Sequence, residues 1–362
     1  MKQLHATRFF QLLLVLLISI TAKTQAITTP RTPSPGAIVS QKIGISTVTV
    51  NYSRPSVKGR EIWGKLVPYG WNVQNFGNGK SAPWRAGANE NTTITFSHAA
   101  KLEGKDVPPG EYGLFFVVNE DNTGEVVLSK DHRSWGSFFY EAGNDLLRSK
   151  IQLRSIPMTE LLTYDFINAT KTSAELVLNW EKKQFPVKIE FDVDRIVLNN
   201  AEEELKGPTG FNWQGFASAA NYALQNKTGY DQGLVWADQA VAQNKAFPTL
   251  STKANLLRAM GRTAEADTIM KQAIAIANEN ELNLYGYNLM NAGQHDKAIE
   301  IFVLNTKRFP NSANTFDSLG EAYATKGDKK NAIASFKKSL SMNPPANVRA
   351  NSEKFLKQLG AM

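Results

Sequence analysis

Residues 38–193 alternate between apolar and polar positions with a period of two, which is typical of strands that bury one face. The segments Val48–Tyr52 and Thr92–Ser97 show this alternation most clearly. Gly113–Val118 is a nearly continuous apolar run, and a short Asn- and Gly-containing segment connects it to Val126–Leu128. This connection has the length and composition of a β-hairpin loop.

Three more apolar stretches predict the last strands of this region: Leu161–Ile167, Ala174–Trp180 and Phe185–Val193. Seven or more short strands separated by turn residues are typical of all-β architectures. The pattern therefore predicts an antiparallel β-sandwich or jelly roll over residues 38–194.

After Asp194 the period changes to 3.6, which indicates helices. Residues 195–210 are expected to form a junction helix and linker, because the helical composition ends at Gly207-Pro208, a natural helix stop. The remaining residues are rich in Ala, Leu, Asn and Lys and keep the helical period.

A set of small and apolar residues recurs along this helical region. In the unit Ala313–Pro344 the set is Phe316, Leu319, Gly320, Tyr323, Gly327, Ala332, Phe336 and Pro344. At a spacing of 34 the preceding unit repeats it with Gly286, Leu289, Gly293, Ala298, Phe302 and Pro310. One step further back, at a spacing of 32, stand Ala254, Leu257, Gly261, Ala266 and Met270. A degraded unit precedes these within Ala217–Lys245.

These positions resemble the tetratricopeptide repeat family over Phe211–Met362. Small residues stand where the two helices of a hairpin cross, glycine permits the turn, and proline ends the second helix. The resemblance implies about four helical hairpins in residues 211–345, a capping helix in residues 346–362, and an α–α superhelix as the overall fold. Generic helices would not share two such sets at one spacing.

The repeat resemblance implies that the chain binds another protein or a peptide, in a concave groove lined by the first helix of each hairpin. The candidate groove residues are Asn255, Arg258, Asn283, Tyr287, Asn291, Asn314, Asp317 and Glu321. The asparagine side chains can hydrogen-bond an extended peptide backbone. An ordinary solvated face is the alternative interpretation. The basic clamp with which some family members hold a terminal carboxylate is not evident.

The first 26 residues have the pattern of a secretory signal peptide. Lys2 and Arg8 precede the apolar run Leu12–Ile20, and small residues stand before a cleavage position after Ala26. The run is too short for a membrane anchor, which needs about 20 apolar residues. Residues 27–37 contain three prolines and predict an extended linker.

The absence of cysteine, together with the signal peptide, favours an exported protein of a Gram-negative bacterium, periplasmic or secreted, without disulfides. No other segment is apolar enough to span a membrane after the signal is removed. The formal charge of +8 falls to +5 without the three basic residues of the signal. Neither half contains a basic run that would follow phosphates, so a nucleic-acid partner is not expected.

The β-region contains four unusual segments: Tyr52–Gly64, Pro83–Ile94, Pro109–Leu114 and Trp135-Gly136. They resemble a bacterial family known as domain of unknown function 2911, over about Ile38–Val193. That family occurs mainly in exported bacterial proteins and implies no settled activity. The segment Trp71–Pro83 departs from the family pattern as an Asn- and Gly-rich insertion, which is expected to reshape or cover a site.

Loop arginines and tryptophans are suited to bind a small polar ligand such as a glycan or a peptidoglycan fragment. The candidate ligand-binding residues are Arg54, Arg60, Trp84, Arg85, Asn89, Glu90, His132 and Trp135. In the alternative interpretation these arginines pair with Glu61 and Glu90 and pin loops against the sandwich, and the tryptophans, Trp63 among them, close its ends.

Catalytic motifs are missing, and the sequence favours a non-enzymatic protein without deciding the question. No histidine pair has metal-ligand spacing, and there is no Gly-x-Ser-x-Gly element, so no metal, cofactor or catalytic residue is predicted. A hydrolase with an unfamiliar site, built from Glu90, Glu111 and His132, remains a third hypothesis. The first hypothesis is a binding or scaffold protein that uses the repeat groove, and the second is a ligand site in the β-domain.

Overall fold

The computed structural model describes residues 33–362. The predicted signal peptide and residues 27–32 of the predicted linker lie outside the described residues. The chain divides into two compact units, one ending at Val193 and the other beginning at Asp194.

The first unit is an antiparallel β-structure. Its strands are β1 (Gly36–Ile43), β2 (Ser46–Ser53), β3 (Asn72–Val73), β4 (Ser81–Ala82), β5 (Thr93–Phe96), β6 (Ala100–Leu102), β7 (Lys105–Val107), β8 (Gly110–Val118), β9 (Thr123–Ser129), β10 (Asp145–Gln152), β11 (Arg154–Ile167) and β12 (Ser173–Phe191). One sheet has the order β1-β2-β5-β8-β9-β10, a second has the order β11-β12-β6-β7, and β3 pairs with β4 alone.

The two larger sheets pack face to face through aromatic side chains. The ring of Phe116 on β8 lies 5.2 Å from that of Phe185 on β12, centroid to centroid. Tyr52 on β2 and Tyr164 on β11 form an edge-to-face pair at 4.8 Å. Such aromatic pairs between inner faces are what an alternating strand pattern produces in a sandwich, and the predicted antiparallel sandwich is confirmed.

Two strand boundaries differ from the sequence-based expectation. The segments predicted as separate strands around Trp180 and Phe185 form one strand, β12, which continues through Glu181 despite a positive φ of 53° at that residue. The first strand, β1, begins earlier than expected, because Gly36 and Ala37 of the predicted linker pair with β2.

The second unit is a series of helices. They are α1 (Val193–Glu204), α2 (Trp213–Gln225), α3 (Tyr230–Gln243), α4 (Phe247–Ala259), α5 (Thr263–Ile276), α6 (Glu279–Asn291), α7 (His295–Arg308), α8 (Ala313–Lys326), α9 (Lys329–Ser341) and α10 (Ala346–Gln358). From α2 to α9 they form four consecutive hairpins, and the predicted repeat fold is confirmed.

The recurring glycines explain how each hairpin closes. A Cβ on Gly286 would stand 2.6 Å from the ring of Phe302, and one on Gly320 would stand 2.7 Å from the ring of Phe336. Only glycine therefore lets the aromatic ring of the second helix lie on the first. The turns between helices use glycines in the left-handed conformation, among them Gly293.

The last helix, α10, packs on the fourth hairpin. Phe355 of α10 stacks on Phe336 of α9, with ring centroids 5.1 Å apart. Leu356 is buried beside them. This helix therefore covers an apolar surface that the fourth hairpin would otherwise expose, as a capping helix does.

Candidate functional site

The β-unit contains a cavity of about 650 Å³, a volume typical of small-ligand sites. The loop residues 55–60, 66–75 and 82–89 contribute most of its wall. Trp180 of β12 and Val118 of β8 also line it. The cavity thus lies where loops from one sheet meet a strand of the other.

Trp84 is held at the cavity by an isolated antiparallel β-bridge to Phe116 of β8. Its N–H donates to the carbonyl of Phe116, and its own carbonyl accepts from the Phe116 N–H, at 2.8 and 2.9 Å. The Trp84 ring stacks on Trp180 with centroids 5.7 Å apart, and Trp63 packs edge-on against both rings. Trp84 and Trp180 form an apolar wall of the cavity, and their ring positions are fixed by this packing.

Arg85 lines the cavity beside Trp84, and its guanidinium is held by its surroundings. Nη1 donates to the carbonyl of Asn89 at 2.7 Å, and Cζ lies 5.1 Å from the centroid of the Phe138 ring. Gly136 packs against the group so closely that a Cβ there would stand 2.5 Å from Nη1. Burial lowers the pKa of Arg85, and no carboxylate of the described residues opposes this effect. A guanidinium nevertheless stays charged at neutral pH.

The loop that follows Arg85 is held in an unusual backbone conformation. Ala86 and Asn89 both have positive φ, 52° and 63°, which is rare for residues other than glycine. The Ala86 carbonyl accepts from Thr92 and from Tyr164, and the Asn89 amide donates to Ser53. Residues in such conformations persist when their surroundings fix them, and they cluster at binding sites.

Two further cations line the cavity. Arg60 is exposed, and it is anchored because Nε donates to the carbonyl of Val57 at 3.0 Å and Nη2 donates to the carbonyl of Ser56. Lys58 is also exposed, and its backbone N–H donates to Glu160. None of the described residues that line the cavity is Asp or Glu.

The predicted insertion, residues 71–83, forms part of the cavity wall through Asn72, Val73 and neighbouring residues. It folds as the β3–β4 hairpin and is fastened to residues 138–141. The Asn78 backbone N–H donates to the carbonyl of Phe138 at 3.0 Å, and its side chain donates to the carbonyl of Tyr140 at 2.9 Å. Trp71 at its base lies 4.3 Å beneath the Arg148 guanidinium.

Of the eight predicted ligand residues, the cavity gathers Arg60, Trp84, Arg85 and Asn89. Arg54 instead donates to the Leu162 carbonyl and to Thr163 Oγ1, at 3.0 and 2.7 Å, so it fastens its loop to β11.

The other three predicted ligand residues also lie outside the set that lines the cavity: Glu90, His132 and Trp135. His132 Nε2 lies 3.6 Å from a Glu111 carboxylate oxygen, and neither residue belongs to the cavity wall. Two members of the predicted hydrolase set are therefore neighbours, but away from the cavity.

The cavity also contains residues that sequence reasoning missed, chiefly Lys58 and Trp180. Lys58 lies in the unusual segment Tyr52–Gly64, and its positive charge was the only property that could have indicated a binding role. Nothing in the sequence distinguished Trp180 from an ordinary core residue of a strand. In the structure its side chain is buried, with 1% of its surface exposed. Its indole Nε1 is buried without a hydrogen-bond partner in the described part of the chain.

In the helical unit, the predicted groove residues lie on the first helices of three hairpins, α4, α6 and α8. We call this surface the first-helix face, defined by the same eight residues predicted from the sequence. Asn255 and Asn291 are exposed, and Asn283 and Asn314 are partly exposed. Asn283 Oδ1 has no hydrogen-bond partner among residues 33–362.

Other residues of the first-helix face are engaged within the protein. Tyr287 donates to Ser318 at 3.2 Å, and Arg258 pairs with Asp267 at 2.8 Å. Burial raises the pKa of the Tyr287 hydroxyl well above its ordinary value.

The acidic end of the first-helix face differs from the expectation of an exposed surface. Asp317 is 5% exposed, because α10 covers it. Ser352 donates to Asp317 Oδ1, and Asn351 donates to Asp317 Oδ2 at 2.8 Å and to Glu321. Burial raises the pKa of both carboxyl groups, although these hydrogen bonds oppose the shift. The two acids fasten the capping helix to the fourth hairpin.

Residues 33–362 contain no group of three or more His, Asp or Glu placed to hold a metal ion. Within the same range, no helix is both long and apolar enough to cross a membrane.

Family comparisons match both parts of the chain. Residues 34–189 match the family described as "Protein of unknown function (DUF2911)". Residues 248–280 and 313–345 match the family described as "Tetratricopeptide repeat". These two ranges are the second and fourth hairpins. No curated protein matches the chain.

Solved structures of repeat proteins are similar to part of the chain. One, described as "Crystal structure of YrrB: a TPR protein with an unusual peptide-binding site", is 17% identical over 44% of this chain and 84% of that chain, with a TM-score of 0.28. A crystal structure of MamA is 18% identical over 42% and 89%, with a TM-score of 0.29. The structure of Pseudomonas aeruginosa pilF is 18% identical over 42% and 71%, with a TM-score of 0.28.

Proposed function

We propose that this chain, which joins a DUF2911 domain to tetratricopeptide repeats, is an exported, non-enzymatic scaffold that holds an extended peptide segment of another protein on the first-helix face. Repeats of this family present a binding surface built from successive hairpins. The observation that carries the proposal is the row of amide side chains on that face, of which Asn255 and Asn291 are exposed and Asn283 and Asn314 are partly exposed.

The chemistry of the face favours recognition of peptide backbone over recognition of a charged group. An asparagine amide both donates and accepts, so it can pair with the N–H and C=O of one peptide unit. Arg258 is already paired with Asp267, and the acids at the far end are engaged by the capping helix. A neutral, extended segment therefore fits better than a terminal carboxylate.

The non-enzymatic part of the proposal is supported by the position of Glu111 and His132. These residues lie 3.6 Å apart outside the cavity wall, so the cavity does not combine a ligand space with this carboxylate and this imidazole. General acid–base catalysis needs such groups within hydrogen-bond reach of the bound substrate.

Peptide display on the full chain tests the binding proposal. We expect selected peptides to lose about tenfold or more in affinity when Asn283→Ala and Asn291→Ala are combined, since each lost hydrogen bond costs about 1 kcal/mol. Asn288→Ala is the control, because residue 288 is exposed on the same helix and lies about 100° around it from residue 287, the middle one of the three face residues on α6. Peptides that bind the double variant and the wild type equally would contradict the proposal.

Export is tested separately in the source organism. We expect the mature chain to begin at Ile27 and to fractionate outside the cytoplasm. A charged substitution in the apolar run, Leu14→Arg, should leave the uncleaved chain inside, because signal recognition requires that run. Mature protein retained in the cytoplasm would contradict the exported part of the proposal and leave the peptide test unaffected.

A further inference from the structure

The cavity of the β-unit has a charge composition that peptide binding by the repeats does not use. Among residues 33–362, three cations line it: Lys58, Arg60 and Arg85. No described acid stands among the lining residues. Several cations in a concave site with apolar walls attract anions, because low-dielectric walls strengthen the local electrostatic field.

The free edge of the Arg85 guanidinium indicates which anions fit. Nη1 is bonded to Asn89, while Nε and Nη2 have no partner in the described part of the chain. In arginine, these two atoms form the edge that donates two parallel hydrogen bonds to a carboxylate or a phosphate. Asn89 and Gly136 fix the group, so little freedom is lost on binding.

Arg60 complements this arrangement. The Ser56 and Val57 carbonyls hold its Nε and Nη2, which leaves Nη1 as its available donor. Its charge is thereby kept at the cavity wall by the loop itself. Arg85 can form the bidentate hydrogen bonds to the anion, and Arg60 can supply a second positive charge.

The apolar part of the wall indicates that the anion belongs to a larger molecule. The apolar residues of the wall include Trp84, Trp180, Val73 and Leu66. Val73 is 66% exposed and Leu66 is 47% exposed. Trp180 also carries a buried indole N–H without a partner among residues 33–362. Buried donors are nearly always paired, so an acceptor from a ligand or from water is expected there.

We propose that this cavity binds a small organic anion, with its carboxylate or phosphate group on Arg85 and its uncharged part against the tryptophan wall. The site is independent of the first-helix face, so either can fail without the other. Carboxylates and phosphates share the recognition chemistry, and the experiment separates them.

Isothermal titration on the full chain tests the proposal with two matched probe pairs. Glutarate is compared with its neutral diamide, and glycerol 3-phosphate is compared with glycerol. We expect one anion of the two pairs to bind, its neutral partner not to bind, and the affinity to fall as salt is raised. The anion that binds identifies the group as carboxylate or phosphate.

Charge-removing variants then locate the binding site. Arg85→Gln and Arg60→Gln should each weaken binding by about tenfold or more, as expected for hydrogen bonds to a charged group. Arg85→Lys should recover only part of the loss, because it keeps the charge and loses the fork. Lys42→Gln is the control, since Lys42 is an exposed cation of β1 outside the cavity wall.

The side chains of Arg60 and Lys58 are exposed, so their substitution is expected to leave the fold intact. These variants test the proposal if Arg85→Gln does not fold. The proposal is overturned if neither anion binds the wild-type chain, or if binding is equal in Arg60→Gln, Lys58→Gln and Lys42→Gln. Equal binding of an anion and its neutral partner would also overturn it, because the site would then not recognise charge.

Discussion

Gly136 lies against the guanidinium of Arg85 so closely that a Cβ on residue 136 would come within 2.5 Å of Nη1 and 2.6 Å of Cζ. The two residues are far apart in sequence, and the glycine has a positive φ of 59°. Gly136 therefore sets the position of the cation that faces the cavity. Asn89 and Phe138 complete its surroundings.

Gly136→Ala is expected to displace Arg85 and to weaken anion binding by about tenfold or more, since a displaced fork loses a charge-assisted hydrogen bond. Titration with the anion that binds the wild type measures this. Two controls separate the causes. Gly104→Ala has the same backbone cost, because its φ is +77° and its Cβ meets nothing within 4 Å. Gly143→Ala has neither cost. If all three variants bind alike, Gly136 does not position Arg85.

The insertion is expected to depend on Asn78 more than on the ion pair beside it. Asn78→Ala removes the side-chain hydrogen bonds that Asn78 donates to the Tyr140 carbonyl and to Glu141 and the one that it accepts from the Lys80 N–H, a loss of about 1 kcal/mol for each. Lys80→Gln removes the exposed pair with Glu141, which is worth about 0–1 kcal/mol. Hydrogen exchange of residues 72–82 should therefore accelerate more in Asn78→Ala. Faster exchange in Lys80→Gln would contradict this ranking.

The buried Asp317 carboxyl predicts a pH dependence of stability in the helical unit. Burial raises its pKa above 3.8 in the folded chain, so between 3.8 and that raised value the folded state binds more protons than the unfolded state. Stability contributed by the protonated form is present below 3.8 and is lost as pH rises through the folded pKa. Asp317→Asn should remove this loss and flatten the dependence.

Urea midpoints between pH of about 4 and 7 measure that dependence. Glu321→Gln should act in the same direction, since burial also raises the Glu321 pKa. Glu300→Gln is the control, because Glu300 is an exposed acid of α7. A midpoint of Asp317→Asn that changes with pH as much as that of Glu300→Gln would exclude Asp317 as the cause.

The repeat fold was predictable from sequence because its constraints are local. Gly286 and Gly320 recur at a spacing of 34, and each meets an aromatic ring sixteen residues later in its own hairpin. The close approach of two helices leaves the same small residue at the same place in each unit. The third hairpin, α6–α7, lies outside the family match and still shows this contact.

The cavity could be predicted only in part, because its wall is assembled from distant segments. Trp84, Arg85 and Asn89 stood in one unusual stretch, and the insertion next to them was visible as a departure from the family pattern. Arg54 lies in the same unusual segment as Arg60, yet its guanidinium donates hydrogen bonds to Leu162 and Thr163 of β11. Partners so far along the chain cannot be assigned from one sequence.

The burial of Asp317 shows a similar limit in the helical unit. The repeat pattern places this residue on a face that was expected to be exposed. Here α10 follows, and Asn351 and Ser352 of that helix reach the carboxylate. The tertiary position of the capping helix, which the repeat spacing does not specify, decides whether the acid is available.

The glycine–aromatic contact at the hairpin crossing leads to the last prediction. Gly286→Ala places a methyl group 2.6 Å from Phe302, which is completely buried, so the ring must move. We expect a loss of about 1–3 kcal/mol in the free energy of unfolding, as for other overpacked cores. Calorimetry or urea unfolding of the full chain measures it. The double variant Gly286→Ala with Phe302→Leu should lose less than the sum of the single variants, because the smaller side chain makes room for the methyl group. Additive losses would show that the glycine acts through backbone freedom and not through its contact with the ring.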